Sequence, residues 1–70
     1  MKFNETDVKY RQLNDFIGGE LRRQKVRQST VATWLGIPQS SVARRLSGEI
    51  EWSAREVISL FELLGVKEWK

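Results

Sequence analysis

The sequence of 70 residues contains no cysteine and no histidine, and only one proline and one methionine. Disulfide frameworks, zinc sites made of cysteine and histidine, and catalytic Ser-His or Cys-His pairs are therefore excluded by composition. Long apolar runs are missing as well, because residues 57–66 are interrupted by Ser59 and Glu62 and are too short to span a bilayer. We expect a cytoplasmic protein whose folding does not depend on the redox state of its compartment. We expect no membrane segment, metal or cofactor.

Chain length and composition predict one small domain over residues 1–70. The chain is 40% apolar and 30% charged, and it lies near the lower size at which one hydrophobic core holds without disulfides or metals. Residues 1–8 are polar and lack the apolar run of a signal peptide. No paired-carboxylate spacing is evident and the chain is too short to form a large cleft, so we expect no enzyme and no small-molecule substrate.

Acidic residues are missing from the middle of the chain. The stretch from Leu21 to Gly48 has six basic residues and no acidic one and so carries +6, while the whole chain carries +3, which leaves −3 on the remainder. Such asymmetry creates a local positive potential that attracts a polyanion, usually nucleic acid. A solvated basic helix face has the same composition, so charge alone leaves both interpretations open.

Strand-like alternation is absent, and apolar residues recur at helical spacing. This pattern predicts one continuous first helix over residues 6–24, with a kink or a split at Gly18-Gly19 as the alternative, because each glycine costs about 1 kcal/mol relative to alanine. A second helix is predicted over residues 28–35, with Val31, Ala32 and Leu35 on its apolar side. Gly36 ends that helix, and Pro38 is suited to the first position of the next helix. Residues 36–38 are therefore predicted to be a tight turn.

The third predicted helix begins at residue 38 or 39 and ends at residue 46 or 47, before Gly48. At 100° per residue, Val42, Ala43 and Leu46 form a narrow apolar stripe, and Ala43 is small enough to allow close packing on the second helix. Ser40, Ser41 and Arg44 are placed on the opposite side. We therefore expect the polar residues of this helix to face outward as a set.

The fourth predicted helix starts with a capping box at residues 53–56, Ser-Ala-Arg-Glu. Trp52 and Val57 have the spacing of a hydrophobic staple around this cap. Six apolar residues then cover more than half of the helix circumference up to Gly65, which predicts a central position in the core: Val57, Ile58, Leu60, Phe61, Leu63 and Leu64. Trp34 is expected to pack partly against a neighbouring helix. Three placements remain open for Phe3 and Trp69: contact with each other, packing on the core, or a dimer contact.

The order Gln28, Val31-Ala32, Gly36, Gln39-Ser40, Val42 and Gly48 resembles the helix-turn-helix of phage repressor and Cro-type proteins, the lambda-repressor-like or Xre-type domains. The resemblance covers about residues 16–66. It implies a small all-α bundle of four to five helices with the helix-turn-helix at about residues 28–47, a recognition helix in the major groove of double-stranded DNA, and the preceding helix across the backbone.

Four features depart from the family pattern. Arg27 and Pro38 stand where capping residues are usual, and Arg45 stands where an apolar residue is common. No C-terminal element of the kind through which many relatives dimerise is evident. The departures concern the start of the second helix, the packing of the third helix and the mode of dimerisation.

The resemblance implies that Gln28 contacts a DNA phosphate and braces Gln39. It also implies that Gln39 and its neighbour Ser40 lie in the major groove. Glutamine pairs with adenine and arginine with guanine, and a helix N-terminus suits phosphate. The expected base-reading residues are Gln39, Ser40, Ser41 and Arg44. The expected phosphate contacts are Lys25, Arg27, Gln28, Ser29, Thr30, Arg45 and Ser47. The alternatives are a solvated Gln39, serines that only start the helix, and an Arg44 paired with an acid.

These assignments predict a sequence-specific transcriptional regulator, a phage-type or prophage-type repressor that occupies an operator. We expect a monomer or weak dimer in solution that binds an inverted-repeat operator as a homodimer. The alternative is a protein-interaction module with the same fold, an antirepressor or assembly subunit that does not bind DNA. That alternative requires an exposed apolar patch where this chain has serine and arginine.

Overall fold

The computed structural model describes residues 5–68, which form four α-helices and no strand. The helices are α1 at Glu5–Arg23, α2 at Gln28–Leu35, α3 at Gln39–Ser47 and α4 at Ala54–Leu64. The predicted all-α class is confirmed, while Phe3 and Trp69 lie outside the described residues. Among the residues described, none of the four helices combines the length and the apolar character that a membrane span needs.

α1 is continuous through its two central glycines, as predicted. Its first turn contains acidic residues and its last turn contains two arginines, which is the arrangement that the helix dipole favours. Asn14, Ile17 and Leu21 are its buried residues, at the spacing of one helix face. Burial of that face stabilises the helix by tertiary packing, which offsets the poor helix propensity of glycine.

A single core joins the four helices. Its buried apolar members are Ile17, Leu21, Val31, Ala32, Val42, Trp52, Leu60 and Leu64. Half-buried apolar residues pack around this core, and Trp34 is one of them. The predicted partial packing of Trp34 is therefore confirmed.

The close packing of α2 on α3 sets the position of both helices. Gly36 has φ +69°, and its amide and that of Ile37 both donate to the Ala32 carbonyl, so a left-handed residue closes α2. Pro38 is the N-cap of α3, with φ −63° and ψ 150°, rather than its first helical residue. The predicted contact through Ala43 is wrong, because Ala43 is exposed and the inward side of α3 is formed by its neighbours Val42 and Leu46.

The predicted capping box of α4 is present. The Glu56 amide donates to Ser53 Oγ at 3.1 Å, and the Ser53 amide donates to a Glu56 carboxylate oxygen at 3.0 Å. The predicted central position of α4 is only partly correct, since Ile58 is 60% and Leu63 is 49% exposed. α4 is buried along one stripe through Leu60, and no other described element covers its far side.

Candidate nucleic-acid interface

The outward side of α3 is polar or small along its whole length. At about 100° per residue, its exposed residues span an arc of about 140°. These residues, called the α3 arc below, are Gln39, Ser40, Ala43, Arg44 and Ser47. No large apolar side chain interrupts the arc.

Arg44 is the only cation on the α3 arc. Its Nε lies 3.9 Å from Glu49 Oε2, and both side chains are more than half exposed. A surface pair at this distance contributes little free energy, so the guanidinium can exchange Glu49 for another acceptor. Ser47 Oγ is engaged differently, since it donates to the Arg44 carbonyl at 2.9 Å.

Ser41 lies off the α3 arc, although it was predicted beside Ser40. It is half-buried, and its carbonyl accepts a hydrogen bond from Arg45 Nη1 at 3.1 Å. A shift of about 100° per residue separates Ser41 from the exposed Ser40. We therefore leave Ser41 out of the proposed base-reading set.

The start of α2 presents unpaired backbone donors. Arg27 is the N-cap, with extended backbone and no side-chain cap. Its carbonyl accepts from the amides of Thr30 and Val31, whereas the amides of Gln28 and Ser29 have no acceptor among residues 5–68. Arg27, Gln28 and Ser29 are exposed and Thr30 is half-buried. Free amides at a helix N-terminus attract an anion.

Lys25 has a left-handed backbone with φ +59°, the only non-glycine residue with positive φ among those described. Its amide donates to the Arg22 carbonyl at 3.1 Å, and the next amide, of Val26, donates to the Leu21 carbonyl at 2.8 Å. These bonds close α1 and turn the chain toward α2. The exposed Lys25 thereby lies between the two helices.

Two cations of the acid-free stretch are neutralised by acids from outside it. Arg23 Nη2 lies 2.7 Å from Glu20 Oε1, and Arg45 Nε lies 3.0 Å from Glu56 Oε1. The predicted phosphate contact of Arg45 is not supported, because its side chain is only 17% exposed and is turned toward α4. Within the same stretch, by contrast, three exposed cations have no carboxylate partner among the described residues: Arg22, Lys25 and Arg27.

A cavity of about 250 Å³ lies where the ends of α1 and α3 meet the start of α2. Arg22 and Val26 line it from α1 and the following loop, Gln28 from α2, and Leu46 from α3. The fold thus brings Arg22 and Gln28 to the same depression. Arg22 was not among the predicted contacts, although the acid-free stretch that contains it was the available signal.

Asn14 is a buried polar residue at 9% exposure that the sequence analysis missed. Its Nδ2 donates to the carbonyls of Arg45 and Leu46, at 3.2 and 3.1 Å, and its Oδ1 accepts from Trp52 Nε1 at 2.9 Å. The Trp52 amide also donates to the Tyr10 hydroxyl at 2.8 Å. α1 therefore binds both the end of α3 and the segment that precedes α4. A polar residue on the apolar face of α1 was the signal for this role.

The Glu56 carboxylate completes the connection between α3 and α4. Burial alone would raise the pKa of Glu56, but hydrogen bonds from the Ser53 backbone amide and from Arg45 outweigh it and hold the pKa below its ordinary value of 4.5. Glu56 is therefore a charged partner of Arg45 at neutral pH.

The site contains no metal ligands of the usual kind, since residues 5–68 contain no group of three or more acidic side chains that could hold a metal ion. The chain matches no protein-family model, no curated protein and no solved structure. The geometry of the molecule itself therefore indicates what it can bind. That geometry is an all-helical fold with a polar helix face and unpaired cations near the start of the preceding helix.

Proposed function

We propose that the protein is a sequence-specific regulator that binds double-stranded DNA with α3 in the major groove, in the manner of a phage-type or prophage-type repressor. α2, the turn at residues 36–38 and α3 form the helix-turn-helix, and α2 lies across the DNA backbone. The protein acts in the cytoplasm by occupying an operator and blocking polymerase or a rival regulator. The polar α3 arc, together with unpaired cations near the start of α2, is the observation that carries the proposal.

Phosphate anchoring is supported by the electrostatics around the start of α2. Arg22, Lys25 and Arg27 are exposed and unpaired among the described residues. The free amides of Gln28 and Ser29 add the partial positive charge of a helix N-terminus. Cations near a polyanion release its counterions, which makes binding strong at low salt.

Base reading is supported by the chemistry of the α3 arc. Gln39 lies at the start of the helix and is exposed, with no side-chain partner among the described residues, and it can pair with adenine through two hydrogen bonds. Arg44 can pair with guanine in the same way once it leaves Glu49. Ser40 and Ala43 are small and allow α3 to approach the base edges closely.

The exposure of Ile58 and Leu63 on α4 favours a second candidate, the protein-interaction module. Exposed apolar side chains such as these contact a protein partner in that candidate, whereas in a DNA-binding regulator they are available for self-association. The two candidates differ in the role of the α3 arc, which only the DNA-binding regulator requires.

Alanine variants of five residues test the DNA-binding proposal. Gln39→Ala and Arg44→Ala each remove a base contact and are expected to cost about 1 to 3 kcal/mol on the preferred duplex and to relax the base preference at one position. Lys25→Ala and Arg27→Ala are expected to weaken preferred and scrambled duplexes by similar factors. Each lost phosphate cation should reduce the slope of log affinity against log salt by about one.

Gln28→Ala is the matched control, because Gln28 carries no charge and its loss should leave the salt slope unchanged. The preferred duplex is first obtained by selecting bound sites from random DNA at two salt concentrations. Binding isotherms for all variants then distinguish the residues that contact bases from the residues that contact phosphates. Absence of any enriched site and of any salt dependence would favour the interaction module, and a change of base preference in Arg27→Ala alone would reverse the proposed orientation.

A further inference from the structure

The last turn of α3 depends on a donor from another helix. The amides of Gly48 and Glu49 turn back to the carbonyls of Arg44 and Arg45, and no backbone amide among residues 5–68 donates to the Leu46 carbonyl. Asn14 Nδ2 supplies that donor at 3.1 Å and reaches the Arg45 carbonyl at 3.2 Å. The end of α3 is thus hydrogen-bonded directly to α1.

Every hydrogen-bonding group of the Asn14 amide has a defined partner. Its two N–H groups donate to carbonyls, and its oxygen accepts from the Trp52 indole, which can only donate. This donor and acceptor pattern permits one orientation of the amide. Asn14 is 9% exposed, its bond to Trp52 is buried, and its two bonds to α3 are partly buried at the rim of the cavity described above.

We propose that Asn14 is a positioning residue that fixes the orientation of the α3 arc relative to the cations at the end of α1 and the start of α2. Because α3 is the helix proposed to read DNA, this role rests on the proposed function. Arg22 lies on α1, on the same helix as Asn14, while Gln39 and Arg44 lie on α3. Loosening α3 moves the base-reading groups relative to the phosphate anchors, so it reduces sequence discrimination more than affinity for random DNA.

The first measurement uses the free protein, without DNA. Asn14→Leu keeps a similar side-chain shape and removes all three hydrogen bonds. The control Trp52→Phe removes the bond to Asn14 Oδ1 and some core volume, but it leaves both bonds from Asn14 to α3 in place. Amide hydrogen exchange by NMR should show that Asn14→Leu reduces protection in residues 44–49 about tenfold more than in α2, since the end of α3 loses its two bonds to α1. Trp52→Phe should reduce protection in α2 and α3 by similar factors.

The second measurement is the ratio of affinities for the preferred and the scrambled duplex, at a temperature where each variant is fully folded. Asn14→Leu should lower this ratio by about fivefold or more, the effect of roughly 1 kcal/mol lost at the base contacts. Trp52→Phe should change it by less than about twofold. A loss of stability alone would leave the ratio unchanged, because unfolding removes molecules from both equilibria equally.

The two measurements distinguish failure of the proposed function from failure of the positioning role. If the parent prefers no duplex, the proposed function is wrong, and the exchange data still decide whether Asn14 holds α3. If Asn14→Leu lowers protection equally in α2 and α3, the positioning role is wrong. If Asn14→Leu does not fold, Asn14→Asp replaces it, since the carboxylate still accepts from Trp52 but cannot donate to α3. Should neither fold, fast exchange of the Asn14 side-chain amide protons in the parent overturns the proposal.

Discussion

A single carboxylate at Glu56 serves two parts of the molecule. One of its oxygens accepts from the Ser53 amide and from Arg45 Nε, each at 3.0 Å, so the cap of α4 and the ion pair to α3 share one atom. Hydrogen bonds to a charged carboxylate are stronger than those between neutral groups. The lowered pKa of Glu56 is the consequence, and it makes stability depend on pH.

The first prediction concerns that dependence. The pKa of Glu56 is lower in the folded than in the unfolded chain, so its stabilisation is complete above the ordinary value of 4.5 and is lost as the pH falls through the folded pKa. Glu56→Gln should lower the free energy of unfolding at pH 7 and flatten its decline toward pH 3. Urea unfolding at a series of pH values measures this.

Glu62→Gln is the control for this experiment, since Glu62 is an exposed glutamate of the same helix without an ion pair among the described residues. Its curve should follow that of the parent. Parallel curves for the parent and Glu56→Gln would show that the carboxylate has no special role.

Lys25 allows charge and backbone conformation to be separated. At φ +59° a side chain with Cβ costs about 1 to 2 kcal/mol relative to right-handed backbone, and glycine avoids this cost. We predict that Lys25→Gly is more stable than Lys25→Ala by about 1 kcal/mol, since glycine loses part of the gain through entropy. Both variants should lower DNA affinity equally. Equal melting temperatures would contradict the conformational part, and unequal affinities the electrostatic part.

At the scale of the helix, glycine has opposite effects in different places. Gly19 lies inside α1, and a Cβ added there meets nothing within 4 Å. Gly36 also has open space around it, but its φ is +69°. Space therefore permits alanine at both positions, whereas backbone conformation favours it only within α1.

The matching prediction compares Gly19→Ala with Gly36→Ala. The first should stabilise the protein by about 0.5 to 1 kcal/mol, because alanine loses less entropy in a helix. The second should destabilise it by about 1 to 2 kcal/mol through left-handed strain at the turn between α2 and α3. Thermal unfolding of both variants measures the difference, and the same sign for both would contradict it.

At the scale of the whole molecule, positive and negative charge are unequally distributed along the chain. Three unpaired cations of the acid-free stretch come from the end of α1 and the segment that leads into α2, while α4 contributes the exposed apolar residues Ile58 and Leu63. One short recognition helix contacts only a few base pairs, which is too little information for a genome. Two copies related by a two-fold axis double the number of base pairs that are read.

We therefore predict that two copies bind an inverted repeat with half-sites about 10 base pairs apart, or a multiple of that distance. In solution without DNA the chain should be a monomer or weak dimer. Sedimentation with and without an operator duplex measures the stoichiometry, and a footprint measures the length of the site. One protein bound to one unrepeated half-site would contradict the prediction.

The sequence alone determined the order of the helices and the places where they end, because caps and turns are local. α2 was predicted at its observed boundaries. Gly36 ends it through a left-handed backbone that favours glycine, and residues 53–56 start α4 through bonds that span three positions. The acid-free stretch likewise identified where exposed cations would concentrate, since charge counting requires no contact information.

Only the tertiary structure decided which neighbouring polar residues face outward. Arg44 and Arg45 are adjacent and chemically identical, yet Arg45 is turned to Glu56, 11 positions away, and Arg44 stays on the α3 arc. Asn14 reaches the Leu46 carbonyl across 32 positions. Such pairs depend on the angle and distance at which two helices pack, and the periodicity within each helix does not contain that information.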